Sequence, residues 1–137
     1  MKIEKRGLKK NKLIADLNVI ILIGFNDIDV FLNCKILESY EIYKIVIYKN
    51  AVSALSHLAK TDIRYKVVMI DIYMPLMDGF EFIDKFNQLQ LHKKQGNVCI
   101  LSASLDPIHK EKSMEKNVGF IEKPLTIEKL LIYDPLF

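Results

Sequence analysis

The sequence predicts an α/β fold, a doubly wound parallel sheet of five strands with helices on both faces. Short apolar runs alternate with segments of helical periodicity five times along the 137 residues. Several of the runs are apolar without interruption, which is typical of strands buried on both faces of a parallel sheet. Because crossover connections are right-handed, this alternation leaves few topologies, and we expect the strand order 2-1-3-4-5.

Each element has its own local signal. The strands are rich in β-branched and aromatic residues, and the helices carry apolar residues three and four positions apart. Asp106 before Pro107 predicts the start of the fourth helix, and Thr126 predicts the cap of the fifth, which Pro135 ends. The predicted strands are Val19–Ile23, Tyr43–Tyr48, Val67–Ile70, Val98–Leu101 and Val118–Ile121, and the helices cover about residues 27–39, about 51–59, and the segments after Gly79, Asp106 and Thr126.

Composition limits the domain organisation. A chain of 137 residues that is 50% hydrophobic fits one domain with a substantial core. No apolar run is long enough to cross a membrane, and the two cysteines have no metal-like spacing, so we expect a cytoplasmic protein. The predicted organisation is one domain over residues 17–137 with no output domain, preceded by a basic extension over residues 1–16.

The extension over residues 1–16 carries much of the net charge of +3. We expect it to be partly disordered, since charged termini are commonly solvated tails. A basic arm for an acidic partner is the alternative. Nucleic acid is not favoured as that partner, because the arm has no aromatic residues to stack on bases. The charged residues are Lys2, Glu4, Lys5, Arg6, Lys9, Lys10 and Lys12.

Three polar side chains stand at the ends of three predicted strands. Asp71 ends the third apolar run, Ser102 follows the fourth, and Lys123 follows the fifth. The carboxyl ends of parallel strands meet at one edge of the sheet, where open α/β sheets bind ligands. An acid, a hydroxyl and an amine that converge there would suit a phosphoryl group.

The segments around these residues resemble a known family. Asp71 is followed by Met74-Pro75 and Met77-Asp78-Gly79, Ser102 lies within Leu101-Ser102-Ala103, and Lys123 lies within Phe120-Ile121-Glu122-Lys123-Pro124. Together, and in this order, the segments resemble the receiver (CheY-like) domain of two-component response regulators. The resemblance extends from about residue 17 to residue 131.

The resemblance implies a role for each matching residue. Asp71 would be the phosphoacceptor, taking a phosphoryl group from the phosphohistidine of a sensor histidine kinase or a phosphotransfer protein. Ser102 would donate a hydrogen bond to a phosphoryl oxygen, and Lys123 would pair with the phosphoryl group, or with Asp71 before that group arrives. Phe120 would be the aromatic switch that moves with Ser102. The Lys123–Pro124 bond is expected to be cis, as the motif implies.

The expected metal site departs from the family pattern. Asp71 and the backbone carbonyl of Tyr73 would bind Mg²⁺ together with two adjacent acidic residues after the first strand. In this chain Gly24 and Phe25 occupy those two positions. Asp27 is a candidate replacement ligand, although Asn26 or Asp27 would equally serve as the cap of the first helix. Mg²⁺ is therefore expected only with an altered set of ligands.

Two functions are compatible with these residues. The first is a stand-alone receiver that is phosphorylated on Asp71 and signals through the face formed by the fourth helix, fifth strand and fifth helix. It would not be an enzyme beyond accepting the phosphoryl group and slowly losing it. The alternative is a degenerate receiver that docks partners without phosphorylation. The sequence leaves a homodimer open.

Two further functions on such a fold are disfavoured. A phosphohydrolase of the haloacid-dehalogenase type needs a second aspartate two residues after the first, where Tyr73 stands. A flavin carrier needs a hydroxyl-rich phosphate loop, which residues 24–27 lack.

Overall fold

The computed structural model describes residues 19–39, 44–91 and 97–133, without the side chain of Tyr133. Five strands and five helices alternate through these ranges. The strands are β1 (Val19–Ile23), β2 (Lys44–Tyr48), β3 (Val67–Asp71), β4 (Asn97–Ser102) and β5 (Gly119–Glu122), and the helices are α1 (Asp27–Glu38), α2 (Ala51–Lys60), α3 (Gly79–Gln88), α4 (Pro107–Glu115) and α5 (Ile127–Tyr133).

The strands form one parallel sheet in the order β2-β1-β3-β4-β5, which confirms the predicted topology. The register aligns the strand ends, since Ile23 pairs with Ile70 and Asp71 pairs with Leu101. At the next strand Ser102 pairs with Glu122, directly before Lys123. The residues that follow β1, β3, β4 and β5 therefore meet at one edge of the sheet.

The two central strands are buried on both faces, which explains their uninterrupted apolar sequences. On one face, Ile23 and Ile70 pack in a cluster with residues of α2 and α3, including Phe82. On the other face, Leu22 and Met69 pack with residues of α1 and α5. These two cores fix the backbone at the strand ends. No helix of the described ranges has both the length and the apolar character of a membrane span.

The element bounds follow the prediction closely. Asn26 caps α1, its side chain accepting from the backbone N of Asp29 at 2.9 Å, and Asp106 caps α4. Thr126 Oγ1 accepts from the backbone N of Lys129 at 3.2 Å at the start of α5. Asp71 and Ser102 are the last residues of β3 and β4. The predicted strands ended one residue earlier, at Ile70 and Leu101. The predictions for residues 1–16, Tyr43 and Pro135 lie outside the described residues.

Gly79 sits where a helix start meets the end of β3. Asp78 caps α3 in a capping box with Glu81, and the backbone N of Gly79 donates to the Ile72 carbonyl at 2.8 Å. A Cβ at position 79 would lie 2.6 Å from the Asp71 carbonyl oxygen. Only glycine allows α3 to begin this close to the strand that carries Asp71.

We therefore expect Gly79→Ala to lower the free energy of unfolding by ~1–3 kcal/mol, the usual effect of forcing an extra methyl group into a packed site. Urea denaturation measures the change. The exposed Gln88, at the other end of α3, provides the control. Gln88→Ala should leave stability within about 0.5 kcal/mol. Equal stability of the two variants would contradict the proposed contact.

The two free cysteines should differ in reactivity. Cys99 is 1% exposed in β4, and burial raises the pKa of its thiol to about 12. Cys34 is half-buried on α1, and burial followed by the charge of Glu38 also raises the pKa of its thiol. Because the thiolate is the reactive form, iodoacetamide near neutral pH should modify Cys34 slowly and Cys99 only in denaturant. Mass spectrometry reads the adducts, and rapid native labelling of a Cys34→Ser variant would contradict this.

Candidate functional site

A cavity of about 470 Å³ opens at the carboxyl edge of the sheet. It brings together Asp71, Ser102 and Lys123, the three residues that the sequence placed at strand ends. Side chains from the start of α1 and from the loop after β4 complete its wall. The lining residues are Phe25, Asn26, Asp29, Asp71, Ile72, Tyr73, Leu101, Ser102, Ala103, Ser104 and Lys123.

Asp71 lies at the floor of the cavity and is buried. The loop after β1 passes directly over its carboxylate. A Cβ at position 24 would lie 3.0 Å from Asp71 Oδ2 and 2.9 Å from Val30 Cγ2. Gly24 therefore occupies one of the two positions where acidic residues were expected. In this arrangement its neighbours leave no room for a side chain.

Strands β4 and β5 position Lys123 beside Asp71. Its backbone N donates to the Ser102 carbonyl oxygen at 2.7 Å, and the Lys123–Pro124 peptide bond is cis, as predicted. Lys123 Nζ lies 2.7 Å from Asp71 Oδ1. This contact is an ion pair and not an aligned hydrogen bond, since that buried oxygen has no donor in hydrogen-bonding geometry among the described residues.

Asp29 is the site residue that the sequence analysis missed. Its carboxylate accepts a hydrogen bond from Lys123 Nζ, so one ammonium joins Asp29 and Asp71. A signal for it was present in α1, because Asp29 shares a helical face with the buried residues Asn33 and Leu37 at four-residue spacing. That spacing points Asp29 towards the protein and not towards solvent.

Asp27, the candidate metal ligand, does not reach the cavity. Its side chain is 78% exposed and pairs with Lys49, which follows β2. Asn26, and not Asp27, caps α1. Asp29 lies two positions after Asp27 on the helix, and this rotation of about 200° places their side chains on different faces.

The ionisation of Asp71 and Lys123 is coupled. Burial is the largest influence on Asp71 and raises its pKa, the Lys123 ammonium lowers it, and the charge of Asp29 raises it again, so that the net pKa is raised. For Lys123, burial lowers the pKa, but the contacts with Asp29 and Asp71 outweigh burial and raise it overall. Lys123 is therefore a firmly charged ammonium between two carboxyl groups.

A chain of polar contacts forms the wall opposite α1. The buried Ser102 accepts through Oγ from the backbone N of Ser104 at 2.9 Å. Ser104 Oγ lies 2.7 Å from His109 Nδ1, and His109 Nε2 lies 3.4 Å from the hydroxyl of Tyr73. Tyr73 is 70% exposed and overhangs the cavity. These contacts connect Tyr73, through His109, to Ser104 in the loop that follows Ser102.

Phe120, the expected switch residue, lies in β5 beside Ile100 of β4. Its side chain is half-buried and packs against the core cluster that contains Ile70 and Phe80. Ser102 is two residues after Ile100, so the aromatic ring and the hydroxyl belong to neighbouring strands. The structure brings these two residues near one another without assigning them a role.

The residues present do not fit Mg²⁺ in this arrangement. The ion prefers oxygen ligands, and Gly24 and Phe25 offer no carboxylate where the pattern expects two. Both carboxylates that line the cavity, Asp29 and Asp71, already contact the Lys123 ammonium. Within the described ranges, no group of three or more His, Cys, Asp or Glu side chains could hold a metal ion.

We expect Asp71→Asn to raise the melting temperature at pH 7. A raised pKa means that the folded state favours the protonated carboxyl, so this group's stabilisation is full below the unfolded value of about 4 and is lost as pH rises through the folded pKa. Asparagine removes that loss, and Lys123 keeps Asp29 as a partner.

Calorimetry over a pH series measures this effect. The difference in melting temperature between Asp71→Asn and the wild type should shrink as the pH falls towards 4. A lower melting temperature for the variant at pH 7 would show that the attraction of Asp71 to Lys123 outweighs the unfavourable burial of the Asp71 charge.

Comparison with known proteins agrees with the observed fold and adds a match to a protein family. The sequence model described as the response regulator receiver domain matches residues 26–133. No curated protein gives a match to this chain. The family match includes Asp71, Ser102 and Lys123, and it begins after Gly24 and Phe25.

Several solved structures are similar at low sequence identity. The chemotaxis protein CheY4 of Vibrio cholerae is 22% identical with a TM-score of 0.69, and the match covers 85% of this chain and 94% of that one. A CheY-like receiver domain protein of Methanospirillum hungatei is 20% identical with a TM-score of 0.71, covering 88% and 92%.

A third structure is a co-crystal. It holds the Saccharomyces cerevisiae histidine phosphotransfer signalling protein Ypd1 and the receiver domain of its downstream response regulator Ssk1. The match is 15% identical with a TM-score of 0.70, and it covers 84% of each chain. These similarities concern the fold.

Proposed function

Because the chain belongs to the family of response regulator receiver domains, we propose that it accepts a phosphoryl group on Asp71 from a phosphohistidine and signals through the resulting change in structure. The observation that carries the proposal is the Asp71 carboxylate in an open cavity, with Lys123 Nζ 2.7 Å away and Ser102 on the adjoining wall. Receiver domains are in general signalling modules of phosphorelays and not enzymes.

The proposed reaction is a transfer of one phosphoryl group. An Asp71 carboxylate oxygen forms a bond to phosphorus while the bond from phosphorus to the donor imidazole breaks. The imidazole nitrogen keeps that electron pair and takes up a proton. Lys123 offsets the negative charge of the transferring oxygens, and Ser102 Oγ donates a hydrogen bond to one of them, since fixed charges and dipoles are what a protein contributes to phosphoryl transfer.

The proposed output lies on the face of α4, β5 and α5. A phosphoryl oxygen that draws the Ser102 hydroxyl would disturb its contact with Ser104 and so move the loop after β4. Phe120 would respond from the neighbouring strand, which shifts the balance of two arrangements. Exposed apolar side chains in the loop before α4 and in α4 itself, Leu105 and Ile108, suit a protein partner.

The proposed donor is a histidine kinase or a phosphotransfer protein. The similar Ssk1 receiver was crystallised with a histidine phosphotransfer protein. Here the exposed Phe25 of the β1–α1 loop lines the cavity, and α1 carries further exposed apolar side chains, Ile28, Phe31 and Leu32. An apolar surface beside a reactive group favours a protein donor.

A cytoplasmic location belongs to the same proposal and agrees with the two free cysteines.

A second candidate is a receiver that docks partners without phosphorylation. Two observations favour it, namely the absence of carboxylates at Gly24 and Phe25 and the engagement of Lys123 by two acids. Under this alternative, Asp71→Asn would leave partner binding unchanged.

Intact mass after incubation with acetyl phosphate tests the first candidate. We expect one phosphoryl adduct on the wild type and none on Asp71→Asn, because the carboxylate is the nucleophile. Asp84→Asn is the matched control, since Asp84 is an exposed acid that pairs with Lys116 on the protein surface. This control should form the adduct at the wild-type rate.

The outcomes separate the candidates. An adduct that persists in Asp71→Asn would show that another residue is modified and would overturn the proposal. No adduct from acetyl phosphate and none from a phosphorylated histidine kinase or phosphotransfer protein would favour the docking module.

A further inference from the structure

One ammonium in the cavity is shared by two carboxylates that differ in their chemistry. Lys123 pairs with Asp71, the proposed nucleophile, and with Asp29, which forms no bond in the reaction. All three side chains are largely withdrawn from water, with 15% of Lys123, 33% of Asp29 and 11% of Asp71 exposed. Whatever binds Lys123 in this cavity must therefore compete with a contact that is already made.

We propose that Asp29 competes with the incoming phosphoryl group for Lys123, so that the Asp29 carboxylate slows the phosphorylation of Asp71. In this chain Asp29 would thus set the rate of a reaction for which relatives rely on a divalent cation. Asp29 acts through Lys123 and is a positioning residue. The inference rests on the proposed function, because it is Lys123 that would contact the phosphoryl oxygens.

Charge determines the direction of the effect. With both acids ionised, Asp29, Asp71 and Lys123 carry one net negative charge, and a phosphodonor brings more negative charge to the same cavity. Asp29 lines that cavity, so it repels the donor as well as occupying the ammonium. Such forces are stronger at partly buried sites than in bulk water. Removing the Asp29 charge should therefore accelerate phosphorylation.

The first turn of α1 supplies a matched control. Asp27 belongs to the same helix and carries the same charge, but it pairs with Lys49 at the surface and does not line the cavity. The cap of α1 survives a change at position 29, since the Asn26 side chain accepts from the backbone N of that residue. Asp29→Asn thus removes a charge while keeping the helix start.

The kinetic experiment follows adduct formation from acetyl phosphate, with EDTA or with Mg²⁺. Asp71 bonds to phosphorus, the bond from phosphorus to the acetyl oxygen breaks, and acetate leaves with the electron pair. We expect Asp29→Asn to react about tenfold faster than the wild type. Asp29→Glu, which restores the charge, and Asp27→Asn should stay within about twofold of the wild type. EDTA should leave all four rates unchanged.

A second readout needs no reaction. The NMR signal of the Lys123 side-chain ammonium should shift in Asp29→Asn without any ligand, and it should stay in place in Asp27→Asn. Inorganic phosphate is then titrated against the same signal. We expect Asp29→Asn to bind phosphate about tenfold more tightly than the wild type. A purely structural role of Asp29 would weaken phosphate binding or leave it unchanged.

The outcomes distinguish this inference from the proposed function. A wild-type adduct together with an unchanged or slower rate in Asp29→Asn overturns the competition and leaves the function standing. No adduct on any variant, with tighter phosphate binding by Asp29→Asn, supports the competition and counts against the function. Acceleration of the wild type by Mg²⁺ that is lost in Asp29→Asn would make Asp29 a metal ligand and overturn the inference.

Discussion

The arrangement of the site depends on one ammonium held between two carboxylates. Lys123 reaches the cavity because its backbone is hydrogen-bonded to the end of β4, and Asp71 reaches it because β3 ends there. Asp29 arrives from the first turn of α1, which Asn26 begins. Three separate elements thus converge on a single positive charge. Because Asp71 is buried, its charge would be costly without that partner.

The same cation explains why the departure from the family pattern need not abolish the site. Gly24 and Phe25 supply no carboxylate to attract a metal ion, and in the part of the chain that the structure describes Lys123 is the cation that pairs with Asp71. Asp29 keeps the cavity negative overall, although its charge comes from the helix and not from the loop after β1. The second acid of this site is therefore a residue of α1.

Most of the fold and the centre of the site could be read from the sequence. Apolar runs marked the strands, and Asp71, Ser102 and Lys123 stood where parallel strands end. Asp29 was not predicted because it lies further from the end of β1 than Asp27, the first acid after that strand. Which of two acids on a helix faces inward depends on where the helix begins, and the cap at Asn26 decided it. The contact between Lys123 and Asp29 joins residues 94 positions apart, and no local pattern reports such a pair.

The packing around Gly24 also limits how this site could change. A Cβ atom at residue 24 would lie 2.9 Å from Val30 Cγ2 and 3.0 Å from Asp71 Oδ2. An aspartate introduced there would first have to displace a valine of the helix and the carboxylate of Asp71 itself. A single substitution at residue 24 would therefore also move Val30 and Asp71, and with Asp71 the site itself. Steric packing at Gly24, and not only charge, therefore bears on which residues this site accepts.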